Sequence, residues 1–295
     1  MKIETSEISL PLLKQKSVRL FIKRIDKIHP FVSGNKWFKL KYNINEARKQ
    51  GIDTLLTFGG AYSNHIAATA FAAKENGLKS IGVIRGEKGK CLNPTLDLAT
   101  RNSMLLTYVS REDYRNKNTS QFISRLKERF GDFYLLPEGG TNDLAIKGSA
   151  EILDVNDTQD YICCSIGTGG TISGIINAQS DSQITLGFPA VRYYETLESN
   201  IDSWTNNDNY NIINTYSLGG YAKLNKSLVY FINEFYETHE IPLDIVYTGK
   251  MMYGIIDLIS KGFFSKGSSI LAIHTGGVQG NKGMIERLGV RLPVS

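Results

Sequence analysis

The feature that most limits the possible folds is a repeated alternation of short apolar runs with helix-like stretches. Short, continuously apolar runs between helices are typical of parallel strands that helices cover on both faces. The sequence therefore predicts an α/β protein. The predicted strands are Thr54–Phe58, Ser80–Ile84, Met104–Val109, Phe133–Leu136, Tyr161–Ile166, Asp244–Tyr247 and Ser269–Ile273. The predicted helices are Asn43–Gln50, His65–Asn76, Cys91–Asn102, Thr119–Phe130, Ile172–Ala178, Lys226–Thr238 and Tyr253–Lys261.

The domain organisation is suggested by length and by what the chain lacks. Its 295 residues are enough for two domains of about 150 residues each or for one large α/β unit. Because it has no repeat and no Pro-rich linker, a second domain is expected to be inserted into the first. Ser63 and Asn64 are placed to cap one predicted helix, which Gly77 would end. The polar segment Asn200–Asn214 is expected to be an exposed loop.

The charge balance and the cysteines narrow the functional classes. Lys and Arg number 34 and Asp and Glu 29, so the net charge is +5, and it is dispersed along the chain. We therefore expect no nucleic-acid partner. Cys91, Cys163 and Cys164 are odd in number and two are neighbours, which favours a reducing compartment. Met1–Ser9 lacks an apolar signal region and no run of about 18 apolar residues occurs, so a cytoplasmic protein without membrane contact is expected.

No metal site is expected. Cys163 and Cys164 lie in an apolar run, where free cysteine behaves as a small hydrophobic residue. No His/Cys spacing resembles a zinc site, because the histidines are scattered at His29, His65, His239 and His274.

Lys36 is the first candidate for chemistry. It follows Gly34 closely and precedes the aromatic Trp37. A lysine whose pKa is lowered by desolvation or by nearby cations becomes a nucleophile that forms Schiff bases. Lys39 could assist it or bind a phosphate. The alternative for this segment alone is the solvated, basic start of a helix.

Two glycine-rich segments lie between a predicted strand and a predicted helix. In the first, Gly59 and Gly60 lead to Ser63, Asn64 and His65. The free N–H groups and the dipole of a helix N-terminus form a natural site for a carboxylate. A tight turn with a structural histidine is the alternative.

The second glycine-rich segment has the strand, loop and helix order of a phosphate cradle. Ile172 occupies the last glycine position of the dinucleotide pattern, and the Gly-Lys-Ser/Thr of a P-loop is missing. A single phosphate therefore fits better than a pyrophosphate, and a structural turn is the alternative. The segment consists of Gly167, Thr168, Gly169, Gly170 and Thr171.

Three polar residues late in the chain complete the candidates. Tyr247 and Thr275 each follow or end a predicted strand, at the position where open α/β sheets bind ligands. Tyr221 adds a phenol from a preceding loop. A packing role is the alternative for each tyrosine.

A reactive lysine together with a single-phosphate cradle indicates pyridoxal 5′-phosphate on chemical grounds. The order of the segments is more specific, and it resembles the family of D-cysteine desulfhydrases and 1-aminocyclopropane-1-carboxylate (ACC) deaminases. These are fold-type II pyridoxal-phosphate enzymes, and the likeness runs from about Leu20 to the C-terminus. The segments are Gly34-Asn35-Lys36, Gly59-Gly60 with Ser63-Asn64-His65, Gly167–Thr171, Tyr247-Thr248-Gly249-Lys250 and Thr275-Gly276-Gly277.

The resemblance implies an architecture. It predicts two open, twisted, mostly parallel sheets flanked by helices. A small domain of residues 42–147 would be inserted into a large cofactor-binding domain of residues 1–41 and 148–295. It also implies a homodimer whose substrate is a small amino acid.

The resemblance further implies roles for the candidate residues. Lys36 would bind the cofactor covalently and move a proton at the substrate Cα, with Ser63, Tyr221 and Tyr247 as the other catalytic groups. Ser63, Asn64 and His65 would receive the substrate carboxylate, and Asn64 would also contact the ring hydroxyl. Thr275 would face the pyridine nitrogen. The phosphate would be held by Gly167, Thr168, Gly169, Gly170 and Thr171, with Lys39 as a charged partner.

Thr248 bears on the choice of reaction. ACC deaminases carry a glutamate at this place, which contacts the pyridine nitrogen and favours the protonated ring that opening a cyclopropane requires. ACC has no leaving group, whereas β-elimination of cysteine expels a thiolate and therefore needs a less strongly electron-withdrawing ring. Thr248 and Thr275 together therefore favour β-elimination, the conversion of D-cysteine to pyruvate, ammonia and sulfide.

Other functions remain open. An ACC deaminase would form 2-oxobutyrate and ammonia, and a related lyase would act on a different amino acid. A non-catalytic protein that binds the cofactor is a further alternative. Ile25 stands where the family often has a second carboxylate, and the loop Lys27–Ser33 differs from better-known members. Both border the site, so the substrate can differ even where the cofactor does not.

Overall fold

The computed structural model describes residues 3–190, 195–220 and 225–294. In this part of the chain the strands form two open sheets, one of six strands and one of four, with helices between the strands. The predicted α/β class is confirmed. Strands β1 to β10 are Thr5–Ile8, Arg19–Lys23, Thr54–Gly59, Lys79–Arg85, Met104–Val109, Tyr134–Leu136, Tyr161–Ile166, Ile184–Pro189, Tyr210–Ile212 and Ser269–Ile273. Helices α1 to α11 are Pro11–Lys16, Asn35–Lys49, Asn64–Glu75, Pro94–Arg101, Ser120–Phe130, Asp143–Ala150, Gly170–Ala178, Glu195–Trp204, Lys226–His239, Thr248–Ser260 and Gly280–Leu288.

The larger sheet has the strand order β1-β2-β10-β7-β8-β9, and only β1 pairs antiparallel with its neighbour. Its strand β10 is apolar on both faces. Ile270 and Ala272 pack in one hydrophobic core, and Leu271 and Ile273 pack in the core on the opposite face. Because successive side chains of a strand point to opposite faces, a strand buried on both sides has the continuous apolar run seen in the sequence.

The smaller sheet has the order β5-β4-β3-β6, and all its strands are parallel. Every residue of β3 is buried. The alanine-rich helix α3 packs on this sheet, with Ala68 and Ala72 against Leu55. Small side chains allow the helix to approach the strands closely.

Two packed helices connect the smaller sheet to the larger one. Helix α2 precedes β3, and α6 precedes β7. A Cβ added to Gly148 of α6 would lie 2.1 Å from the carbonyl oxygen of Phe38 in α2, so the two helices are in close contact. Both helices run across the predicted domain limits at 41/42 and 147/148, and those limits stay a prediction.

The predicted strand Asp244–Tyr247 is wrong. These residues form a turn that leads into α10. The buried carboxylate of Asp244 accepts hydrogen bonds from the backbone N–H groups of Val246, Tyr247 and Thr248 at 2.8–2.9 Å. Because these donors turn toward one side chain, they cannot pair with a neighbouring strand.

The predicted exposed loop Asn200–Asn214 is also wrong in part. It contains the end of α8 and the edge strand β9. Ile201 is fully buried in the core beside α7. The segment is polar on average, so its composition did not indicate the few apolar side chains that pack inward.

No helix among the described residues is long and apolar enough to cross a membrane.

Candidate active site

A cavity of about 410 Å³ lies where the carboxyl ends of strands from both sheets meet. Loops after β3, β4 and β6 line it from the smaller sheet, and loops after β7 and β10 line it from the larger sheet. Open α/β sheets bind ligands at this edge. The predicted residues that line the cavity are Lys36, Lys39, Ser63, Asn64, His65, Gly167, Thr168, Gly169, Thr171, Tyr247 and Thr275. Gly170 is adjacent, as the first residue of α7, and Tyr221 lies outside the described residues.

Lys36 is in the first turn of α2, surrounded by protein atoms. Burial lowers its pKa to about 8, and the negative charge of Asp244 acts in the opposite direction. Its Nζ donates to Oδ1 of Asn35 at 2.9 Å, and the amide of Asn35 donates to the hydroxyl of Thr171 at 2.8 Å. A lysine with this pKa has a substantial neutral, nucleophilic fraction near neutral pH.

Gly34 explains how the lysine reaches the larger sheet. It has a φ of +67°, and a Cβ there would lie 2.1 Å from the carbonyl oxygen of Thr275. The next residue, Asn35, donates its backbone N–H to the same oxygen at 3.2 Å. Only glycine permits this approach, which places the start of α2 against the loop after β10.

Lys39 lies one turn beyond Lys36 and is also buried. Its Nζ donates to the carbonyl oxygen of Gly139 at 2.7 Å and to the hydroxyl of Thr141 at 2.8 Å. Burial first, and the charge of Lys36 second, lower its pKa well below the usual value. An ammonium group has three donors, so one remains for a ligand in the cavity that Lys39 lines.

The N-terminus of α3 forms an anion site on the smaller sheet. Ser63 is the N-cap, and its hydroxyl accepts the N–H of Ile66. The N–H groups of Asn64 and His65, the first two of the helix, have no partner within it. Both residues line the cavity. The side-chain oxygen of Asn64 is buried and has no hydrogen-bond partner among the described residues.

His65 is buried and neutral. The hydroxyl of Thr57 donates to the carbonyl oxygen of Leu136 at 3.0 Å, so it accepts from Nε2 of His65, which lies 2.8 Å away. Nδ1 has no partner within the described ranges. Burial and the charges of Lys36 and Lys39 hold the pKa of the imidazole well below its usual range. The ring therefore offers a ligand an acceptor, and a carboxylate would meet the backbone N–H of His65.

The glycine-rich loop after β7 meets a loop of the smaller sheet. Gly169 has a φ of +92°, a conformation that glycine adopts readily. A Cβ on Gly139 would lie 2.8 Å from the side chain of Thr168, and the hydroxyls of Thr141 and Thr168 contact each other. The N-terminus of α7 and the ammonium of Lys39 thus face the same region, as a phosphate site requires.

Two hydroxyl groups form the wall beside β7 and β10. The side chain of Ser165 lies 3.1 Å from the hydroxyl of Thr275, and both residues line the cavity. Ser165 begins the glycine-rich candidate segment in the sequence but was given no role, although a polar residue near the carboxyl end of an apolar strand was a usable signal.

The expectation for Thr248 is wrong. Its hydroxyl is fully buried, donates to Oδ1 of Asp244 at 2.8 Å and accepts the backbone N–H of Asp244 at 2.9 Å. Thr248 does not line the cavity. The turn made by Asp244 directs this side chain away, while the neighbouring Tyr247 does line the cavity.

Pyridoxal phosphate fits the residues present. Lys36 is a lysine of lowered pKa, and the loop after β7 with Lys39 suits one phosphate. The buried oxygen of Asn64 without a partner suits a polar substituent of the ring. The volume is that of a small-molecule site. Within the described ranges, no three His, Cys, Asp or Glu side chains are grouped as metal ligands.

Comparisons with known proteins agree with this assessment. The sequence model of the family described as pyridoxal-phosphate dependent enzyme matches residues 3–276. A Thermotoga maritima protein, named provisionally as an ACC deaminase, is 32% identical over 88% of this chain and 89% of its own. The mitochondrial bifunctional D-cysteine desulfhydrase/ACC deaminase of Arabidopsis thaliana is 30% identical over 88% of this chain and 73% of its own. A crystal structure of an ACC deaminase homologue superposes with a TM-score of 0.82 at 27% identity, covering 97% of this chain and 94% of that one.

Proposed function

Because the chain belongs to the pyridoxal-phosphate dependent enzymes, in the group of ACC deaminases and D-cysteine desulfhydrases, we propose that it catalyses β-elimination. In the proposed reaction D-cysteine and water give pyruvate, ammonia and sulfide. The observation that carries the choice is the hydroxyl pair of Ser165 and Thr275 in the cavity wall. A hydroxyl beside the pyridine nitrogen favours protonation of the ring less than a carboxylate would. The resulting weaker electron sink is sufficient for a reaction in which a thiolate leaves.

Lys36 would hold the cofactor covalently and then move the proton at the substrate Cα. Its lowered pKa supports both tasks, because a base is most effective when its pKa lies near the working pH. When bound, the cofactor supplies an electron sink for the carbanion at Cα.

Two anion sites would orient cofactor and substrate. Lys39 and the loop from Gly167 to Thr171 would bind the phosphate, because a buried ammonium and a helix N-terminus converge there. The substrate carboxylate would bind the hydroxyl of Ser63 and the N–H groups of Asn64 and His65. With both ends of the ligand held, the substrate Cα would stay within reach of Lys36.

Tyr247 would serve as an acid or a positioning group on the opposite wall. A Cβ on Gly167 would lie 3.2 Å from its ring, so the phenol lies directly against the phosphate loop. Tyr221 keeps the same proposed role.

ACC deamination is the second candidate function. It is supported by the names of relatives such as the Arabidopsis thaliana enzyme. The product separates the two reactions, because ACC would give 2-oxobutyrate and D-cysteine gives pyruvate.

The test is a visible spectrum of the purified protein, recorded before and after addition of D-cysteine, with pyruvate and sulfide assayed in the same sample. We expect the absorbance of the lysine-bound cofactor to change while both products form. Lys36→Ala should lose both the band and the turnover. A band that persists without pyruvate would refute D-cysteine as the substrate, and 2-oxobutyrate from ACC would favour the second candidate.

We further propose a cytoplasmic homodimer with a small inserted domain at residues 42–147 and no nucleic-acid or membrane partner. Relatives covering most of the chain support an enzyme of metabolism rather than a scaffold. Sedimentation velocity would test the dimer, which should sediment at about twice the mass of 32.9 kDa.

A further inference from the structure

Two charged residues flank the substrate-binding turn of the smaller sheet. Gly59 at the end of β3 is in register with Ile84 of β4, so Arg85 lies beside the turn that begins at Gly60. On the other side of β3, Thr57 is in register with Leu136 of β6, and Glu138 follows two residues later. Arg85 and Glu138 both line the cavity.

The charge of Glu138 is matched. Its Oε1 accepts a hydrogen bond from the hydroxyl of Tyr114 at 2.9 Å, and its Oε2 lies 3.2 Å from Nζ of Lys117. Arg85 has no carboxylate within 4 Å in the described ranges, although its guanidinium acts on the same Tyr114. The flank of the turn beside β4 therefore carries an unmatched positive charge.

The cofactor and the amino-acid backbone of the substrate do not require this charge. Lys39 and the helix α7 N-terminus serve the phosphate, and Lys36 is the covalent attachment point. The N-terminus of α3 serves the substrate α-carboxylate. Arg85 is the remaining cation in the described lining, and its planar, five-donor group is suited to carboxylate, phosphate and sulfonate.

We propose that Arg85 is a specificity-determining residue that binds an anionic group on the substrate side chain. The enzyme then prefers amino acids whose β-substituent is negatively charged, and D-cysteine belongs to this class in its thiolate form. The inference rests on the proposed β-elimination. For O-phospho-D-serine the Cα proton and the Cβ–O bond are lost, phosphate departs with the bonding pair, and water releases ammonia to leave pyruvate.

The first test measures binding without turnover. D-aspartate and D-alanine are titrated into the cofactor-loaded protein, and the change in visible absorbance gives each Kd. We expect wild type to bind D-aspartate more tightly than D-alanine. Arg85→Gln should weaken D-aspartate binding about 10- to 100-fold, as for loss of a charge-assisted hydrogen bond, and leave D-alanine unchanged.

Lys88→Gln is the matched control, because it removes one positive charge from the exposed loop after β4 without touching the cavity lining. It should bind both ligands as wild type does. Equal losses for D-aspartate and D-alanine in Arg85→Gln would assign Arg85 to the α-carboxylate and overturn the proposal. Wild type that does not prefer D-aspartate would also overturn it.

The second test separates this inference from the proposed function. Wild type and Arg85→Gln are compared on O-phospho-D-serine and on β-chloro-D-alanine, which both yield pyruvate by β-elimination. We expect the variant to have a lower kcat/KM for O-phospho-D-serine and an unchanged kcat/KM for β-chloro-D-alanine. No pyruvate from either substrate would refute β-elimination, while the binding titration still decides the role of Arg85. Turnover of both with an unchanged ratio in Arg85→Gln would refute the inference alone.

Discussion

At the scale of single residues, the site depends on a lysine that protein atoms largely enclose and that has no ion-pair partner among the described residues. Lys36 donates to a neutral amide, and the largest influence that raises its pKa is the charge of Asp244. Such a lysine loses its proton more readily than a solvated one, because burial disfavours the charged form.

The pKa of Lys36 gives a prediction about pH. Only the neutral amine attacks an aldehyde, so the rate at which cofactor-free protein attaches pyridoxal phosphate should rise with pH and level off above about 8. A solvated lysine would keep accelerating past pH 10. Stopped-flow absorbance measures this rate. Lys36→Ala is the negative control, because it lacks the amine that attaches the cofactor. A midpoint near 10 would contradict the placement of Lys36 in a desolvated environment.

Asp244 supports both Lys36 and the turn that carries Tyr247. Asp244→Asn removes the charge and part of the acceptor capacity that four donors use. We expect a loss of about 2–3 kcal/mol in the free energy of unfolding, measured in urea. We also expect the attachment midpoint of Lys36 to move to lower pH, because Asp244 raises that pKa.

A surface carboxylate provides the comparison for Asp244. Asp97 pairs with the exposed Arg101, and Asp97→Asn should cost less than about 1 kcal/mol and leave the midpoint unchanged. An Asp244→Asn protein as stable as wild type, with an unshifted midpoint, would show that this carboxylate supports neither function.

The sequence was most informative where one residue type is required. The Ser63 cap could be predicted, because few residue types serve as an N-cap. Thr248 could not, because the direction of its side chain depends on a turn held by Asp244. Arg85 was missed because its significance comes from which charges lie around it in space.

At the scale of elements, continuous apolar runs predicted six strands of the two sheets, β3 to β7 and β10. The runs at Thr54–Phe58 and Tyr161–Ile166 are such strands, buried on both faces. Strands β1, β2, β8 and β9 were missed. The edge strands β1 and β9 are short and half exposed. In β2 and β8 the apolar run is short, because Arg19 and Lys23 bound the first and Thr185 and Gly187 interrupt the second. Periodicity also could not separate a strand from an apolar turn at Asp244–Tyr247, since a single carboxylate decides between them.

The contact between α2 and α6 should not tolerate a side chain at Gly148. Gly148→Ala would place its Cβ 2.1 Å from the carbonyl oxygen of Phe38, and we expect a loss of about 3 kcal/mol or more in the free energy of unfolding. Because α2 also carries Lys36, the variant should attach the cofactor more weakly. Urea unfolding and absorbance titration measure the two effects.

Gly51→Ala is the control for Gly148. A Cβ there meets no atom within 4 Å, and only its φ of +69° carries a cost, which is about 1–2 kcal/mol. It should bind the cofactor normally. A Gly148→Ala protein no less stable than Gly51→Ala would mean that the two helices can separate at little cost.

At the scale of the whole molecule, the cavity is lined from both sheets, so a ligand there stabilises both together. At a cofactor concentration a hundred times Kd, binding adds about 2.7 kcal/mol to the free energy of unfolding, or a rise in Tm of about 5 °C or more for a chain of this size. Differential scanning calorimetry should show one transition that moves upward as a unit. Pyridoxal lacking the phosphate should raise Tm less, because it leaves the loop after β7 unengaged. Two separate unfolding transitions, of which the cofactor raises the Tm of only one, would contradict a site shared by both sheets.

The strand order has a consequence for biosynthesis. The four strands of the smaller sheet are contiguous in sequence and end at Leu136, so they can pair before β10 of the larger sheet has been synthesised. The larger sheet cannot form completely until later, because β10 pairs with both β2 and β7 and ends only at Ile273. A nascent chain therefore carries a finished N-terminal unit beside strands without neighbours, a state exposed to aggregation. Thr275, Gly276 and Gly277 lie just after β10 and line the cavity, so the site is complete only after this strand has been made.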